Sequence, residues 1–312
     1  MADPSLADSG SSEPDQADVA HRTVRVLHCS DLHCGRPFVA AHVEAALDLA
    51  RGTRWDAIVM SGDVSQRARV HEFREARVWL DRFAACAPLM VVPGNHDTAW
   101  WHAPFGWGEA QTLHARYREH VNTELEPALH LPGVSLVGLN SSLGMLPAAL
   151  TWYPRDWRVK GGLTQAQIDV ARRKLAGAPP DSLRIAVVHH NVVKGRLSKR
   201  WGLARPQVQL DALAALDVDV VCSGHDHEER LELVTRATGQ FVASTANTLS
   251  NRMRGHRPSA VTVIEASASA LALRAWPYDA TARAYVPGPL ELSVPRRSRQ
   301  SANAPYPTPP RR

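Results

Sequence analysis

The sequence predicts an α/β fold, because short apolar segments alternate along the chain with amphipathic helical patterns. Six apolar runs that end in polar residues are predicted as strands, at residues 24–27, 57–60, 89–92, 134–139, 185–188 and 218–221. Apolar residues at three- and four-residue spacing predict helices at residues 39–51, 70–84, 164–175 and 206–216. Thr164 followed by Gln167 has the pattern of a reciprocal helix N-cap. In such a fold, ligands gather at the carboxyl ends of the strands.

Further strands are predicted at residues 231–234, 240–243, 261–265 and 270–275, where turns separate the apolar runs. These are expected to form a second, more antiparallel sheet. The sequence contains no internal repeat. Residues 1–20 are rich in Ser, Asp and Pro, and residues 295–312 are rich in Pro and hold five arginines, so both ends are predicted to be disordered. The folded domain is predicted to span residues 21–294.

Composition excludes several classes of protein. The 312 residues are 44% hydrophobic, as in ordinary globular proteins, and no apolar run is long enough for a membrane helix or a signal-peptide core. A cytoplasmic protein without a membrane partner is therefore expected. The four cysteines (Cys29, Cys34, Cys86 and Cys222) form no CxxC pair, which argues against a zinc knuckle or a disulfide framework. The formal charge of +5 is concentrated partly in the C-terminal tail, so a nucleic-acid partner is not favoured.

Polar clusters follow five of the predicted strands, and they contain Asp31 and His33, Gly62-Asp63, Gly94-Asn95-His96-Asp97, His189-His190-Asn191, and Gly224-His225-Asp226-His227. A single Asp or His at a strand end is usually a cap or a surface residue. Five in order, all expected at one edge of the sheet, instead predict a metal site. Carboxylate, amide and imidazole ligands without thiolates favour Mn, Fe, Zn, Co or Ni over copper or an iron–sulfur cluster. Asp31 and His33 are expected to reach one ion from an extended segment, with Leu32 turned into the core.

The five clusters resemble the calcineurin-like metallophosphoesterase superfamily, whose blocks read D-x-H, G-D, G-N-H-D/E, H and G-H-x-H. The resemblance implies a four-layer αββα sandwich of two mixed β-sheets flanked by helices. It also implies two divalent ions, with Mn or Fe favoured. Asp31, His33 and His227 would bind one ion, Asn95, His189 and His225 would bind the other, and Asp63 would bridge them. Asn191 stands where the family commonly has proline, so the choice between His189 and His190 stays open.

The implied site suits a phosphoryl substrate. Two divalent ions, the carboxylates of Asp31 and Asp63 and one bridging hydroxide leave a net charge of about +1, which attracts an anionic diester and favours attack by the hydroxide. His96 is predicted to assist the leaving oxygen, and Asp97 is predicted to orient the His96 imidazole.

The branch of the superfamily is narrowed by the residues that follow Asp63. Val64-Ser65-Gln66 lacks the D-R-G continuation of serine/threonine phosphatases, and Gln66 stands where purple acid phosphatases have tyrosine. Gly162-Leu163, with Gln167 on the following helix, is similar to bacterial phosphodiesterases of the class III cyclic-nucleotide type. A small phosphodiester, such as a 3′,5′-cyclic nucleotide, is therefore the expected substrate.

Two alternatives stay open. A nuclease of the same superfamily is favoured by the basic pI and by Arg196, Lys199 and Arg200. A non-catalytic scaffold on the same fold would be expected to have lost ligands. The Trp-rich part of the chain is interpreted either as a lid over the site or as a core or homodimer contact; its tryptophans are Trp100, Trp101, Trp107, Trp152 and Trp157.

Overall fold

The computed structural model describes residues 22–99, 110–144, 160–250, 255, 257–297 and 299. The five tryptophans of the Trp-rich part and the predicted N-terminal segment 1–20 lie outside the described residues. The strands are β1 (Val24–Cys29), β2 (Ala57–Met60), β3 (Leu89–Val91), β4 (Ala128–Leu131), β5 (Val134–Leu139), β6 (Leu183–Val188), β7 (Val220–Ser223), β8 (Arg230–Arg236), β9 (Gly239–Thr245), β10 (Ala260–Ala266), β11 (Ala270–Asp279), β12 (Ala284–Tyr285) and β13 (Glu291–Pro295).

The described helices are α1 (Ala40–Gly52), α2 (Val70–Ala84), α3 (Ala110–Leu113), α4 (Ala115–His120), α5 (Gln165–Ala176) and α6 (Pro206–Ala214). A 3-10 turn, Asn95–Asp97, follows β3. The predicted cap of α5 is confirmed, because Thr164 Oγ1 accepts a hydrogen bond from the backbone N–H of Gln167 at 3.2 Å. Among the described helices, none has both the length and the apolar character that crossing a bilayer requires.

Two mixed sheets form the centre of the fold. The first has the order β12-β11-β10-β1-β2-β3, with β13 also paired to β11, and its strands β1, β2 and β3 are parallel. The second has the order β4-β5-β6-β7-β9-β8, and its four central strands are parallel. Parallel strands that are buried on both faces read as continuous apolar runs, which is why β2 and β5 could be predicted with their exact bounds.

Three apolar clusters separate the layers. One lies between the first sheet and the helices α1 and α2, and it includes Leu47, Ile58 and Phe73. A second lies between the two sheets, where Val26, Val59 and Ile185 are fully buried. A third packs α5 and α6 on the outer face of the second sheet, through residues such as Ile168 and Leu213. The four layers are therefore helix, sheet, sheet and helix, which confirms the predicted sandwich.

The prediction that the late strands form a sheet of their own is wrong. Strands β8 and β9 extend the second sheet, where β9 pairs in parallel with β7. Strands β10 and β11 extend the first sheet, where β10 pairs antiparallel with β1. Hairpin signals in a sequence specify that neighbouring strands pair with each other, but the outer partner of a hairpin is chosen by long-range packing.

The start of the predicted C-terminal tail is attached to the domain. Pro295 is the last residue of β13 and pairs with Ala270. Arg299 donates hydrogen bonds to Asp217 at 2.8 Å and to Asp219 at 2.9 Å, and its side chain is only 9% exposed. These residues belong to the packed structure, whereas the predicted outer boundaries of the domain stay predictions.

Candidate metal centre

The polar clusters meet where the loops after β1, β2, β3, β6 and β7 converge. Asp31 donates its backbone N–H to the Gly62 carbonyl at 3.0 Å, and His33 donates to the Asp63 carbonyl at 2.9 Å, so the two loops continue the parallel pairing of β1 and β2. The backbone N–H of Gly224 donates to the His189 carbonyl at 2.8 Å and joins the loops of the second sheet in the same way. The clusters thus come from two sheets, not from one edge of a single sheet as predicted.

The backbone is left-handed at five non-glycine residues of the polar clusters: Asp31 (φ 56°), His33 (φ 49°), Asp63 (φ 52°), His225 (φ 69°) and His227 (φ 52°). Residues other than glycine seldom adopt this conformation, although Asp, Asn and His do so more readily than most. The expected extended segment at Asp31 and His33 is therefore wrong, but both side chains still face the same cluster, and Leu32 is fully buried in the core as predicted. Strained conformations of this kind concentrate at functional sites.

The first group of donor atoms comes from Asp31, His33 and His227. Asp31 Oδ1 lies 3.0 Å from His227 Nε2 and 3.5 Å from His33 Nε2. The two Nε2 atoms of His33 and His227 are 3.2 Å apart. All three residues are buried, so the group is closed to solvent on most sides.

The second group comes from Asn95, His189 and His225. Asn95 Oδ1 lies 3.0 Å from His189 Nε2 and 2.8 Å from His225 Nδ1, and these two nitrogens are 3.3 Å apart. The other ring nitrogen of His189, Nδ1, donates to the Ser61 carbonyl at 2.8 Å. That bond leaves Nε2 as the ring nitrogen that faces Asn95 and that can bind a metal once its proton is released.

Asp63 lies between the two groups. Its Oδ2 is 3.3 Å from His189 Nε2 and 3.7 Å from His33 Nε2, and its Oδ1 accepts the backbone N–H of His96 at 2.8 Å. The carboxylate therefore faces both sets of imidazoles at once. The positions agree with the predicted ligand sets and with the predicted bridge, although the ligand roles themselves stay predictions.

The donor atoms fit divalent cations. Ligands at about 2.1 Å from an ion lie about 3.0–3.4 Å from one another in octahedral or tetrahedral arrangements, and the separations within both groups fall close to this range. Two carboxylates, one amide oxygen and four imidazoles are the ligands of borderline divalent metals. All seven predicted donors are present among the described residues. A scaffold that has lost its metals would be expected to lack some of them.

The structure distinguishes His189 from His190, the two histidines between which the sequence does not decide the ligand. His189 Nε2 is in the second donor group, whereas His190 Nδ1 lies 2.8 Å from Ser141 Oγ. The ring of His190 is fully buried and its centroid is 4.6 Å from that of His225. The geometry therefore favours His189 as the ligand, and it places His190 behind His225.

His96 lies beside the cluster, with its ring centroid 4.8 Å from that of His33. Its Nδ1 donates a hydrogen bond to the Gln66 carbonyl at 2.7 Å. Nε2 is then the nitrogen that can exchange a proton with a substrate, as a leaving-group assistant requires.

The role predicted for Asp97 differs from the structure. Its two carboxylate oxygens accept the backbone N–H groups of Ser65 at 2.8 Å and Gly94 at 2.9 Å, together with the Ser65 hydroxyl at 2.8 Å. Asp97 thus ties the β2 loop to the β3 loop, and the Gln66 carbonyl orients His96 in its place. Adjacent side chains of the 3-10 turn point in different directions, which sequence adjacency alone does not show. A main-chain carbonyl such as that of Gln66 leaves no signal in a sequence.

A family model for calcineurin-like phosphoesterases matches residues 24–229, which carry all five clusters. The chain belongs to the calcineurin-like phosphoesterase family. Members of this family are metal-dependent phosphoester hydrolases, and the donor set described above fits that chemistry. No curated protein sequence matches the chain.

Solved structures with low sequence identity share the fold. Purple acid phosphatase PPD1 from yellow lupin (Lupinus luteus) seeds has a TM-score of 0.60 and 11% identity, over 89% of this chain and 55% of that chain. The chain thus spans about half the length of that enzyme. PhoD has a TM-score of 0.54 and 10% identity, over 88% and 68% of the two chains. GAP50, the anchor in the inner membrane complex of Plasmodium, has a TM-score of 0.50 and 12% identity, over 82% and 84%. At these identities the likeness shows the fold alone.

Two glycines of the phosphoesterase motifs lie where a carboxylate approaches the backbone closely. A Cβ atom added to Gly94 would lie 2.1 Å from Asp63 Oδ1, and one added to Gly224 would lie 2.3 Å from Asp31 Oδ2. Both distances are far shorter than a van der Waals contact. The glycines therefore let the carboxylates pack directly against the backbone of a neighbouring loop.

The charges of the buried groups are strongly coupled. Burial opposes ionisation of Asp31 and Asp63, but the imidazoles of His227 and His189 outweigh it and hold the pKa of both carboxyls well below the usual range. Burial also opposes the charged form of His189, yet Asp63 raises the pKa of His189 to about 9. Burial lowers the pKa of His33 to about 4. Near pH 7 the carboxylates and the His33 lone pair are thus available to a cation, whereas His189 must first release a proton.

Proposed function

We propose that this phosphoesterase hydrolyses phosphodiesters, with 3′,5′-cyclic nucleotides as the first candidates. The observation that carries the proposal is the complete set of seven donors gathered around Asp63, with His96 beside it. The similarity of Gly162-Leu163 and Gln167 to class III cyclic-nucleotide phosphodiesterases supports the choice of a diester. The structure adds that Gln167 donates to the Asn140 carbonyl at 2.8 Å, which links α5 to the end of β5.

The charge of the donor set supports a singly charged substrate. Asp31 and Asp63 are the two carboxylates among the seven donors, and their low pKa values keep both ionised. Two divalent ions bound there would leave a positive site, which would polarise phosphoryl oxygens and lower the pKa of bound water. A diester carries one negative charge, so it complements a small positive excess better than a doubly charged monoester does.

Positioning of the proton donor and protonation of the leaving group would be carried out by residues of this chain. Asp63 accepts the backbone N–H of His96 and so fixes the 3-10 turn that carries this histidine. The Gln66 carbonyl fixes the tautomer of His96, with Nε2 as the exchanging nitrogen. A proton delivered from this atom to the leaving alkoxide completes cleavage of the P–O bond, while water supplies the oxygen that is retained on phosphorus.

A panel of esters tests the proposal. Protein reconstituted with Mn²⁺ would be assayed on 3′,5′-cyclic nucleotides, a phospholipid headgroup diester, a nitrophenyl phosphate monoester and single-stranded DNA. Diesters are expected to be cleaved faster than the monoester, and His189→Ala should abolish turnover. His130→Ala is the matched control, because His130 lies on β4 and is exposed. A clear preference for the monoester would contradict the diester assignment.

A nuclease is the second candidate, and the loop after β6 favours it. The loop is held next to His225 and His227, which follow β7, because Ser198 donates to Asp226 at 3.0 Å and Leu197 donates its N–H to Glu228 at 2.9 Å. Lys199 and Arg200 on this loop are exposed, where they can contact a nucleic-acid backbone. Faster cleavage of single-stranded DNA than of cyclic nucleotides, with strong salt dependence, would favour the nuclease.

A further inference from the structure

A cavity of about 340 Å³ lies between the edge strand β8 of the second sheet and the strands β10 and β11 of the first. Its volume falls within the range of about 300–1,000 Å³ that small-molecule sites occupy. Its lining residues are Arg196, Glu229, Arg230, Leu231, Arg257, Ala260, Ala275, Pro277, Gly288, Pro289 and Leu290. None of the predicted metal ligands is among them, so the cavity is distinct from the metal centre.

The cavity has an excess of positive charge. Three of its lining residues are arginines, and two of these are already paired, Arg257 with Glu229 and Arg230 with Glu232. Arg196 is exposed and makes no hydrogen bond or ion pair with any other residue that the structure describes. One guanidinium charge is thus left over, which matches a ligand with a single negative charge.

A second polar group of the cavity also lacks a partner. The Nε–H of Arg230 is buried and has no hydrogen-bond acceptor among the described residues. Buried donors are nearly always paired in native proteins, so this N–H is a second polar group of a cavity-lining residue that lacks an acceptor among the described residues. Arg196 and Arg230 both line the cavity, so an anionic ligand there would be flanked by two guanidinium groups.

The rest of the wall is apolar. Leu231, Ala260 and Ala275 are among the lining residues, as is Leu290, which also packs against the cluster between the two sheets. An inorganic anion would leave this surface unused, whereas an aromatic or aliphatic body would cover it. The combination of a few placed cations with an apolar wall is the usual composition of a site for an organic ligand.

We infer that this cavity is a second ligand site, which takes a small organic anion. Its acidic group would be held by Arg196 and Arg230, and its apolar body would lie against Leu231, Ala260 and Leu290. The ligand class is therefore a monoanionic aromatic or aliphatic acid, such as a carboxylate, a sulfonate or a phosphate ester.

Binding of 1-anilinonaphthalene-8-sulfonate to the full-length protein tests the inference. This probe has an aromatic body and one fixed negative charge, and it contains no phosphoester, so the result does not depend on hydrolase activity. Arg196→Glu is expected to weaken binding by at least about tenfold, which corresponds to about 1.4 kcal/mol. Arg200→Glu is the matched control, since it makes the same charge change on the same loop outside the cavity, and it should alter binding less than about twofold on the weak influence of exposed charges.

Two further titrations define the site. N-phenyl-1-naphthylamine, which lacks the sulfonate, should bind more weakly to the protein and should not respond to Arg196→Glu. Leu290→Ser should weaken binding of both probes, with a thermal melt to show that the variant is folded. Saturation with Mn²⁺ should leave the affinity for the sulfonate unchanged.

Three results would overturn the inference. Equal losses in Arg196→Glu and Arg200→Glu would show nonspecific attraction to the basic loop. Displacement of the sulfonate by Mn²⁺ would place the probe in the metal centre. Displacement by millimolar inorganic phosphate as efficient as that by an aromatic carboxylate would show a site for anions alone.

Discussion

The motif glycine that precedes Asn95 offers a sharp test of the site. Gly94 has ordinary backbone angles (φ −105°, ψ −177°), so alanine is allowed there by the backbone. The added methyl group, however, would lie 2.1 Å from Asp63 Oδ1 and 2.3 Å from the Asp63 nitrogen. Carbon and oxygen normally approach no closer than about 3.3 Å, so the two loops must separate by about 1.2 Å.

This displacement sets the expected loss in Gly94→Ala. Misplacing a reacting group by about 1 Å can cost about 10²-fold in rate, and overpacking of a buried site costs about 1–3 kcal/mol of stability. Turnover of a phosphodiester with Mn²⁺ is therefore expected to fall by about 10²-fold or more, on the same positioning argument. Metal content, measured by elemental analysis, should fall as well, because Asp63 lies between both donor groups.

The matched control is Gly177→Ala at the end of α5. There an added Cβ meets only the Lys174 carbonyl, at an ordinary 3.8 Å, and φ is −81°. This variant should keep wild-type turnover, metal content and melting temperature. If Gly94→Ala kept two metal ions and full turnover while remaining folded, the close packing of Asp63 against the β3 loop would not matter for the site, and the positioning argument would be wrong.

Removing the central carboxylate, Asp63→Ala, is expected to lose both ions together with turnover, and elemental analysis that still finds two ions would contradict the bridging position. Metal uptake near pH 7 should release a proton, because the pKa of His189 is raised to about 9; the affinity should therefore fall as pH decreases below 9, by up to about tenfold per unit. Calorimetry in buffers of different ionisation enthalpy measures this release. Metal uptake without proton release would show that metal binding does not remove a proton from His189. His96→Ala should keep its metals but lose roughly 10²- to 10⁴-fold in turnover with alkoxide leaving groups, and much less with nitrophenolate; equal losses on both would rule out proton donation. Arg299→Ala should cost about 1–3 kcal/mol in a denaturant titration, because it leaves the buried Asp219 with fewer partners, whereas the exposed Arg51→Ala should cost less than about 0.5 kcal/mol.

The amino-acid sequence determines most of the strands and all the candidate ligands. Strands such as Ala57–Met60 are buried on both faces, so their apolar composition predicts them without knowledge of their neighbours. The ligands could be found because Asp63 and His225 follow glycines directly after such strands, and because the five clusters occur in a fixed order. Helices α1, α2, α5 and α6 were predictable for a similar reason, since each buries one face at a period of 3.6 residues.

The tertiary structure alone decided which strands share a sheet and what each polar group contacts. Strand β8 pairs with β9 at the edge of the second sheet, whereas β10 lies inside the first sheet, between β11 and β1. The partner of the His96 ring is the carbonyl of Gln66, whereas its neighbour in sequence, Asp97, binds Ser65 and Gly94. Local sequence encodes burial and periodicity, but partners that are distant in sequence are selected by packing of whole layers, and main-chain acceptors are the same at every residue.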